Sequence, residues 1–334
     1  MRGKVVVADF LEEPLVVERE ILGDLAEVSA LGAEKEEQLK GRIEDADAVM
    51  LYHFLTMGGQ TVRSLRRCRL IVRCGVGIDN VDWKAAAECG ISVANVPDYG
   101  TEEVADSTMA LMLALARGVN LLNSRGRAGR GAWSYTEAIP LRRLRGRVFG
   151  IVGLGKIGTA AAQRARAFGM EVGFYDPYVL RGEDEMLGLR RAGSLRELFE
   201  ASDVVSLHCP LTAETEGMID SESLGWMRPG SILVNTARGG LAVPEAVLEA
   251  VRSGRLAGAG LDVLPVEPPS AEAPLIAAWR DARDPAHDRI ILCPHAAFYS
   301  EEGLLEIRRR ASENCRRALL GEALRNVVSG PVTG

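Results

Sequence analysis

Short β-branched runs alternate along this chain with longer amphipathic stretches, and that alternation admits few folds. Strands are expected at Val5–Ala8, Glu27–Ala30, Ala48–Leu51 and Leu70–Arg73, with a helix over Glu34–Arg42 among them. A second series is expected at Val148–Val152, Glu171–Tyr175, Val204–Leu207, Ser231–Asn235, Gly258–Leu261 and Ile290–Leu292. Helical stretches at Thr159–Phe168 and Pro244–Ser253 separate members of that series. Strands separated by helices imply parallel sheets with helices on both faces. Two such series in 334 residues imply an α/β protein of two domains, each a doubly wound, Rossmann-like parallel sheet.

Two long helices frame the second series. Asn95–Gly100 is a Pro/Gly break, and Thr101 then opens a helix with Glu102 and Glu103 in its first turn, where carboxylates suit the helix dipole. The run Ala105–Ala116 is apolar on nearly every side, as in a helix buried inside a domain or at a subunit interface. Ser300–Leu320 reads as a charged amphipathic helix after the last strand. Its return to the first domain would make that domain discontinuous.

Composition excludes several classes. A formal net charge of −6 disfavours a protein that grips nucleic acid through phosphates. The longest uncharged apolar stretch, Ser107–Ala116, is too short for a bilayer span, so no membrane association is expected. The opening residues enter a strand-like run at once and show no secretory leader. The six cysteines have no C-x-x-C spacing and no accompanying His pair, so no metal is expected. Reduced thiols and a cytoplasmic location follow as expectations.

Gly153-Leu154-Gly155-Lys156-Ile157-Gly158 is a G-x-G-x-x-G motif. Alone it carries little, because a chain this rich in glycine produces the pattern by chance about 0.4 times. Its setting carries more. The strand Arg147–Val152 ends directly before it, an Ala-rich helix follows, and a second strand ends at Asp176. That strand–turn–helix–strand–acid unit is a dinucleotide site. Gly153 permits the tight turn, Gly155 the approach of the pyrophosphate, and Gly158 close helix–strand packing. The free N–H groups of the helix start face the phosphates. Asp176 suits the ribose hydroxyls and repels a 2′-phosphate, which favours NAD over NADP; Arg181 lies nearby, beyond Pro177.

Three polar residues follow strands of the second series: Arg238, Glu267 and His295. Ligands of open α/β sheets bind outside the carboxyl ends of the strands. An arginine clamps a carboxylate and polarises a carbonyl. A histidine exchanges the proton of a C–O(H) centre, and a carboxylate beside it holds its tautomer. Reversible hydride transfer between a 2-hydroxy acid and a 2-oxo acid needs that set. Three other residues keep two readings. His53 reaches a substrate or closes a turn, Arg73 binds substrate or pairs with Asp79 or Asp82, and His208 is packed or flanks the cofactor.

The ordered motifs Gly75–Asp82, Gly153–Gly158, Asn235–Gly240, Gly260–Val263 with Glu267-Pro268, and Pro294-His295 resemble the D-isomer-specific 2-hydroxyacid dehydrogenase family from end to end. Within it, Tyr52-His53, Thr101–Thr108, Phe174–Tyr178 and His295–Glu301 are most similar to the C-terminal binding protein branch. That branch carries tryptophan where this chain has Phe298.

The resemblance implies a catalytic set of Arg238, Glu267 and His295. It implies substrate contacts from Arg73 and the backbone of Val76 and Gly77, with His53 and Phe298 near the substrate. Around NAD it implies Thr108, the loop from Gly153 through Leu154, Gly155, Lys156 and Ile157 to Gly158, Asp176, Cys209, Pro210, Thr215, Thr236, Ala237, Arg238, Asp262 and His295. It further implies a substrate-binding, flavodoxin-like domain of residues 1–97 plus 299–334, an NAD-binding domain of residues 98–298, closure of the two domains, and a homodimer built on the cofactor domain. The substrate would be a small 2-oxo or D-2-hydroxy acid. The competing function is an NAD(H)-gated, co-repressor-like dimer that docks peptides with little or no turnover.

Overall fold

The structure is a computed structural model and describes residues 2–180, 182 and 187–329. It divides into two compact units, Met1–Gly100 with Tyr299–Gly334, and Thr101–Phe298. The first unit therefore runs to Gly100, because the second begins where a helix starts at Thr101.

The first unit is built on a six-stranded sheet. Its strands are β1 (Gly3–Val7), β2 (Ala26–Ala30), β3 (Ala48–Leu51), β4 (Leu70–Arg73), β5 (Ser92–Asn95) and β13 (Val327–Ser329), in the order β13-β5-β4-β3-β1-β2. All neighbours are parallel except β13, which runs antiparallel to β5 at the edge. Without that edge the order is 2-1-3-4-5, the flavodoxin-like winding, whose topological switch point lies between β1 and β3. The strand interiors are fully buried runs such as Val5-Val6-Val7 and Leu70-Ile71-Val72, as a sheet covered on both faces requires.

Sequence periodicity missed β5 and β13 and overstated one helix. The expected helix over Glu34–Arg42 is a single 3₁₀ turn, Glu36–Leu39. Gln38 Oε1 accepts the N–H groups of Glu34 and Lys35, and Gly41 takes φ +80°, so the turn is capped at one end and broken at the other. The helices of this unit are α1 (Val16–Leu22), α2 (Gly59–Ser64), α3 (Trp83–Glu88) and, from the far end of the chain, α11 (Glu301–Leu320). Ser300 caps α11 by accepting the Gly303 N–H at 2.8 Å, and Gly321 ends it at φ +69°. The helix packs on α1, β3 and β4. Glu18, fully buried on α1, takes both Arg308 donors at 2.7 and 2.6 Å, which satisfies a charge that burial would otherwise make costly.

The second unit holds a seven-stranded sheet, parallel throughout. Its strands are β6 (Val148–Val152), β7 (Glu171–Tyr175), β8 (Arg190–Arg191), β9 (Val204–Leu207), β10 (Ser231–Asn235), β11 (Leu256–Leu261) and β12 (Ile290–Leu292), in the order β12-β11-β10-β9-β6-β7-β8. Read from β8, this is the 3-2-1-4-5-6 order of dinucleotide-binding sheets extended by a seventh strand, β12, with its switch point between β6 and β9. One face is covered by α4 (Thr101–Ala116) and α6 (Lys156–Ala167), and the other by α7 (Leu195–Ala201), α8 (Ser221–Trp226), α9 (Pro244–Arg252) and α10 (Pro274–Arg280). A further helix, α5 (Val119–Arg127), follows α4. The glycines of β11 explain how the apolar α4 lies so close. A Cβ at Gly258 would stand 2.7 Å from Leu115 Cδ2, and one at Gly260 would stand 2.9 Å from Leu111 Cβ. No helix among the described residues is long and apolar enough to cross a membrane.

Candidate active site

In the second unit the glycine loop lies between β6 and α6. Gly153 takes φ +92°, and a Cβ there would sit 2.7 Å from Cys209 N and 2.8 Å from the His208 carbonyl carbon. A Cβ at Gly158 would sit 2.3 Å from Gly153 O. Around Gly155 nothing lies within 4 Å of that position, so this glycine faces open space. The N–H groups of Gly155 and Ile157 meet no acceptor among the described residues, and Lys156 stands exposed as the first residue of α6. Two tight glycines, one open one and an exposed helix start fit the pyrophosphate of a dinucleotide.

Asp176 follows β7 at the edge of this loop. Its Oδ2 accepts Leu154 N–H and its Oδ1 accepts Tyr178 N–H, each at 2.9 Å, which fixes the carboxylate against the loop. Arg191 lies over the Phe174 ring and donates to the carbonyls of Asp176, Val179 and Leu180. Arg181 lies outside the described residues. Cys209 and Pro210 begin the loop after β9, and Thr215 closes it by donating to Pro210 O at 2.7 Å. Burial pushes the Cys209 thiol up to about 11, so it is not a nucleophile at neutral pH. His208 bonds Ser206 Oγ at 2.9 Å, and the protein packed around its ring lowers it to about 4. The residue is half-buried beside the glycine loop, which suits either packing or a place flanking the cofactor.

The acid–base pair is direct. His295 Nδ1 and Glu267 Oε2 are 2.7 Å apart, and the other oxygen of Glu267 accepts the Leu264 N–H at 2.7 Å. His295 sits in the left-handed region at φ +54°, an unusual backbone for histidine. Asp262 holds that turn. Its Oδ1 and Oδ2 accept the N–H groups of Ala296 and Ala297 at 2.9 and 3.0 Å, and its carbonyl accepts His295 N–H at 2.7 Å. Burial raises the Asp262 carboxyl, while those two N–H groups and nearby His295 pull it back. Expected around NAD, Asp262 is 2% exposed and spends both oxygens on the backbone. Phe298 stands edge-on to His295, with ring centroids 6.4 Å apart.

Arg238 follows β10 on a turn braced by Asn235, whose side chain accepts Ala237 N–H at 3.0 Å and donates to Arg238 O at 2.8 Å. Arg238 Nη1 donates to Ala237 O at 2.7 Å. Gly239 joins this turn to the glutamate's loop. A Cβ there would fall 1.9 Å from the Leu264 carbonyl carbon, so only glycine lets the two loops meet. Thr236 and Thr108 bond through their hydroxyls at 2.9 Å, both buried, which ties α4 to the end of β10. Asn235, Gly239 and the bracing role of Asp262 escaped the sequence reading. Each lies inside a quoted motif; the partners of Gly239 and Asp262 are remote in sequence, while Asn235 braces its own turn.

The remaining expected residues lie in the first unit. Arg73 ends β4 and is 6% exposed. Its Nε donates to Asn80 Oδ1 at 3.2 Å and its Nη1 to Cys74 O at 3.4 Å. Asp82 instead caps α3 through Ala85 N–H. Asn80 also donates to the carbonyls of Tyr52 and Leu55, at 2.7 and 2.9 Å. The N–H groups of Val76 and Gly77 meet no acceptor among the described residues. His53 packs its ring against Phe10 and Phe54, at 5.2 and 4.8 Å. Among the described residues no cluster of His, Cys, Asp or Glu is arranged to hold a metal, and all six cysteines are free.

Comparison with known proteins shows the family of the chain. Residues 109–297 match the family model described as D-isomer specific 2-hydroxyacid dehydrogenase, NAD binding domain. A D-3-phosphoglycerate dehydrogenase of Methanocaldococcus jannaschii is 36% identical over 329 residues, which covers 98% of this chain and 60% of that protein. C-terminal-binding protein 1 of Caenorhabditis elegans is 35% identical over 312 residues, 91% of this chain and 42% of that protein. The chain thus spans about half the length of these two curated relatives. Among solved structures, D-lactate dehydrogenase from Aquifex aeolicus, complexed with NAD and lactic acid, superposes with a TM-score of 0.85 at 28% identity, covering 98% of this chain and 99% of that one.

Proposed function

Because the chain belongs to the D-isomer-specific 2-hydroxyacid dehydrogenase family, we propose that it is an NAD(H)-dependent oxidoreductase that interconverts a small 2-oxo acid and its D-2-hydroxy acid. The observation that carries this reading is the 2.7 Å pair of His295 and Glu267, in the same unit as a glycine loop and helix start that fit a dinucleotide.

NAD, when bound, supplies or accepts the hydride. The chain's own groups do the rest. Glu267 can only accept from His295 while ionised, so it keeps the neutral ring's proton on Nδ1 and leaves Nε2 to exchange a proton with the substrate oxygen. Asp262 holds His295 in its left-handed turn. Arg238, braced by Asn235, faces the carbonyl and carboxylate of the substrate. In the first unit, the N–H groups of Val76 and Gly77 with the Arg73 guanidinium suit a carboxylate. In the second, the turn at Gly153–Gly158 takes the pyrophosphate and Asp176 the adenosine ribose, which favours NAD.

Assembly belongs to the same proposal. The segment 119–141 of the second unit exposes Val119, Trp133, Tyr135, Ile139 and Leu141, with Trp133 at 97%. So much apolar surface on one segment suits a homodimer built on this unit; a monomer at micromolar concentration in analytical ultracentrifugation would refute it. A second reading, an NAD(H)-gated peptide-binding dimer, rests on the likeness to the C. elegans protein.

The test is NADH oxidation with a panel of 2-oxo acids, alongside NADH binding by fluorescence. Turnover of any member supports the enzyme. Bound NADH with no turnover, together with NADH-dependent capture of a partner, supports the second reading.

A further inference from the structure

Resting on the dehydrogenase reading, we infer that the substrate carries an uncharged, bulky apolar side chain, aromatic or branched, received by a cluster of rings in the first unit. In a flavodoxin-like sheet ligands bind at the carboxyl ends of the strands at the switch point, here between β1 and β3. Phe10 follows β1, and Tyr52, His53 and Phe54 follow β3. Their rings form one cluster centred on Phe10, which lies 4.9 Å from Tyr52, 5.2 Å from His53 and 5.3 Å from Phe54.

The cluster is built at a cost. Phe10 takes φ +69°, a genuine outlier for a bulky side chain, and such strain gathers at functional sites. Fully buried Asp9 secures it, accepting the N–H groups of Tyr52 and Phe54 at 2.6 and 2.8 Å. Tyr52 is buried beneath Phe10, while Phe54 remains 57% exposed and Phe10 and His53 half-exposed, so the outer rings present an apolar surface. Asn80 then sets this surface against the carboxylate site. It bonds Arg73 Nε with one side-chain atom and the carbonyls of Tyr52 and Leu55 with the other. Arg73 pairs in register with Leu51, the last residue of β3. A carboxylate at Arg73 and the Val76 and Gly77 N–H groups thus places the adjoining side chain over rings.

The same surroundings disfavour a phosphorylated substrate. The carboxylate of Asp9, held by the backbone N–H groups of Tyr52 and Phe54, would oppose a phosphate dianion placed at these rings. The arginines of residues 125–143 lie in the second unit, away from these rings in the sequence and the fold unit. Arg125 and Arg130 both pair with Asp288, at 3.0 and 2.8 Å, and Arg142 and Arg143 line a groove of the second unit with Leu141.

The experiment compares kcat/KM for phenylpyruvate and 4-methyl-2-oxopentanoate with glyoxylate and 3-phosphohydroxypyruvate, in the full chain with NADH. The apolar acids are expected to exceed both others by about tenfold to a hundredfold, the range that burial of one such side chain supplies. Phe10→Asn tolerates the left-handed backbone, and Phe54→Ala lies at the surface. Each is expected to erase most of that advantage by lowering the apolar-acid values more than the glyoxylate value. Equal or better turnover of glyoxylate or the phosphorylated acid overturns the inference and leaves the dehydrogenase reading standing. So does an advantage that survives both variants. No turnover of any acid overturns the reading itself, and the inference with it.

Discussion

A glycine turn leaves the carboxyl end of a parallel strand in each unit, after β6 in one and after β4 in the other, and the two use glycine for opposite ends. At Gly153–Gly158 the missing side chains let backbone approach backbone, and the helix α6 starts at once. The anion-facing groups there are backbone N–H groups at the start of a helix, with Lys156 exposed as its first residue. At Gly75–Gly77 a missing side chain makes room for a charge. A Cβ at Gly75 would fall 1.5 Å from Arg73 Nη1. The guanidinium fills that space beside the Val76 and Gly77 N–H groups, which meet no acceptor among the described residues. The first design suits the diffuse charge of a pyrophosphate, and the second the planar, two-oxygen target of a carboxylate. One sheet architecture thus offers two glycine turns that differ in what occupies the place of a Cβ.

The sharpest separation of the two turns from the chemistry comes from His295→Gln. Turnover should fall by about 10²–10⁴-fold, the usual worth of a general acid–base, with NADH affinity nearly unchanged. A loss of less than tenfold in NADH oxidation would remove His295 from its role. Gly158→Ala attacks the first turn. The new Cβ would stand 2.3 Å from a carbonyl oxygen that cannot move alone. NADH affinity by fluorescence should drop more than tenfold, and stability by about 1–3 kcal/mol. An unaltered Kd would show that the turn relaxes.

Gly75→Ala attacks the second turn. Its clash is with the end of the Arg73 side chain, and the backbone at φ +155° adds strain, so the guanidinium should swing away at some cost in stability. The KM for the 2-oxo acid should rise about tenfold or more, as loss of a charged hydrogen bond predicts, with NADH affinity unchanged. A KM that stays put would mean Arg73 is not the carboxylate's partner. Asp176→Ala should relax the preference for NADH over NADPH by several fold, because the ribose is read at the edge of the first turn; an unaltered ratio of kcat/KM would assign that reading elsewhere.

The smallest effect concerns His208, whose carbonyl carbon lies under Gly153. Its folded-state pKa of about 4 lies below the 6.5 of the unfolded chain, so the unfolded state takes up the proton first. Stability from this group is whole above pH 6.5 and declines as pH falls from 6.5 to 4. Thermal melts across that window should show the decline, and His208→Gln should flatten it. Matching slopes in both proteins would contradict the assignment.

Much of the fold was legible because parallel strands buried on both faces are spelled as continuous apolar runs. β3, β4, β6, β7, β9, β10 and β12 stand where Ala48–Leu51, Leu70–Arg73, Val148–Val152, Glu171–Tyr175, Val204–Leu207, Ser231–Asn235 and Ile290–Leu292 predict them. The strands β5, β8 and β13 were not legible: β8 has two residues, and β5 (Ser92–Asn95) and β13 (Val327–Ser329) are not continuous apolar runs, unlike the equally short Ile290–Leu292 of β12. The helix expected over Glu34–Arg42 failed for a local reason that periodicity ignores, a glycine at φ +80° closing a side-chain-capped turn.

By itself, then, the sequence determined the alternation of elements, the dinucleotide turn and the identity of Arg238, Glu267 and His295 as a set able to handle a carboxylate and a proton. Those depend on residue type and short spacing, which a linear chain records. Only the tertiary structure decided that Asp262 spends its carboxylate on the turn of His295, that Tyr52 is buried beneath Phe10, and that Asn80 ties Arg73 to the loop after β3. Each joins residues that no spacing links, and each follows from which strand ends the winding of a parallel sheet brings side by side.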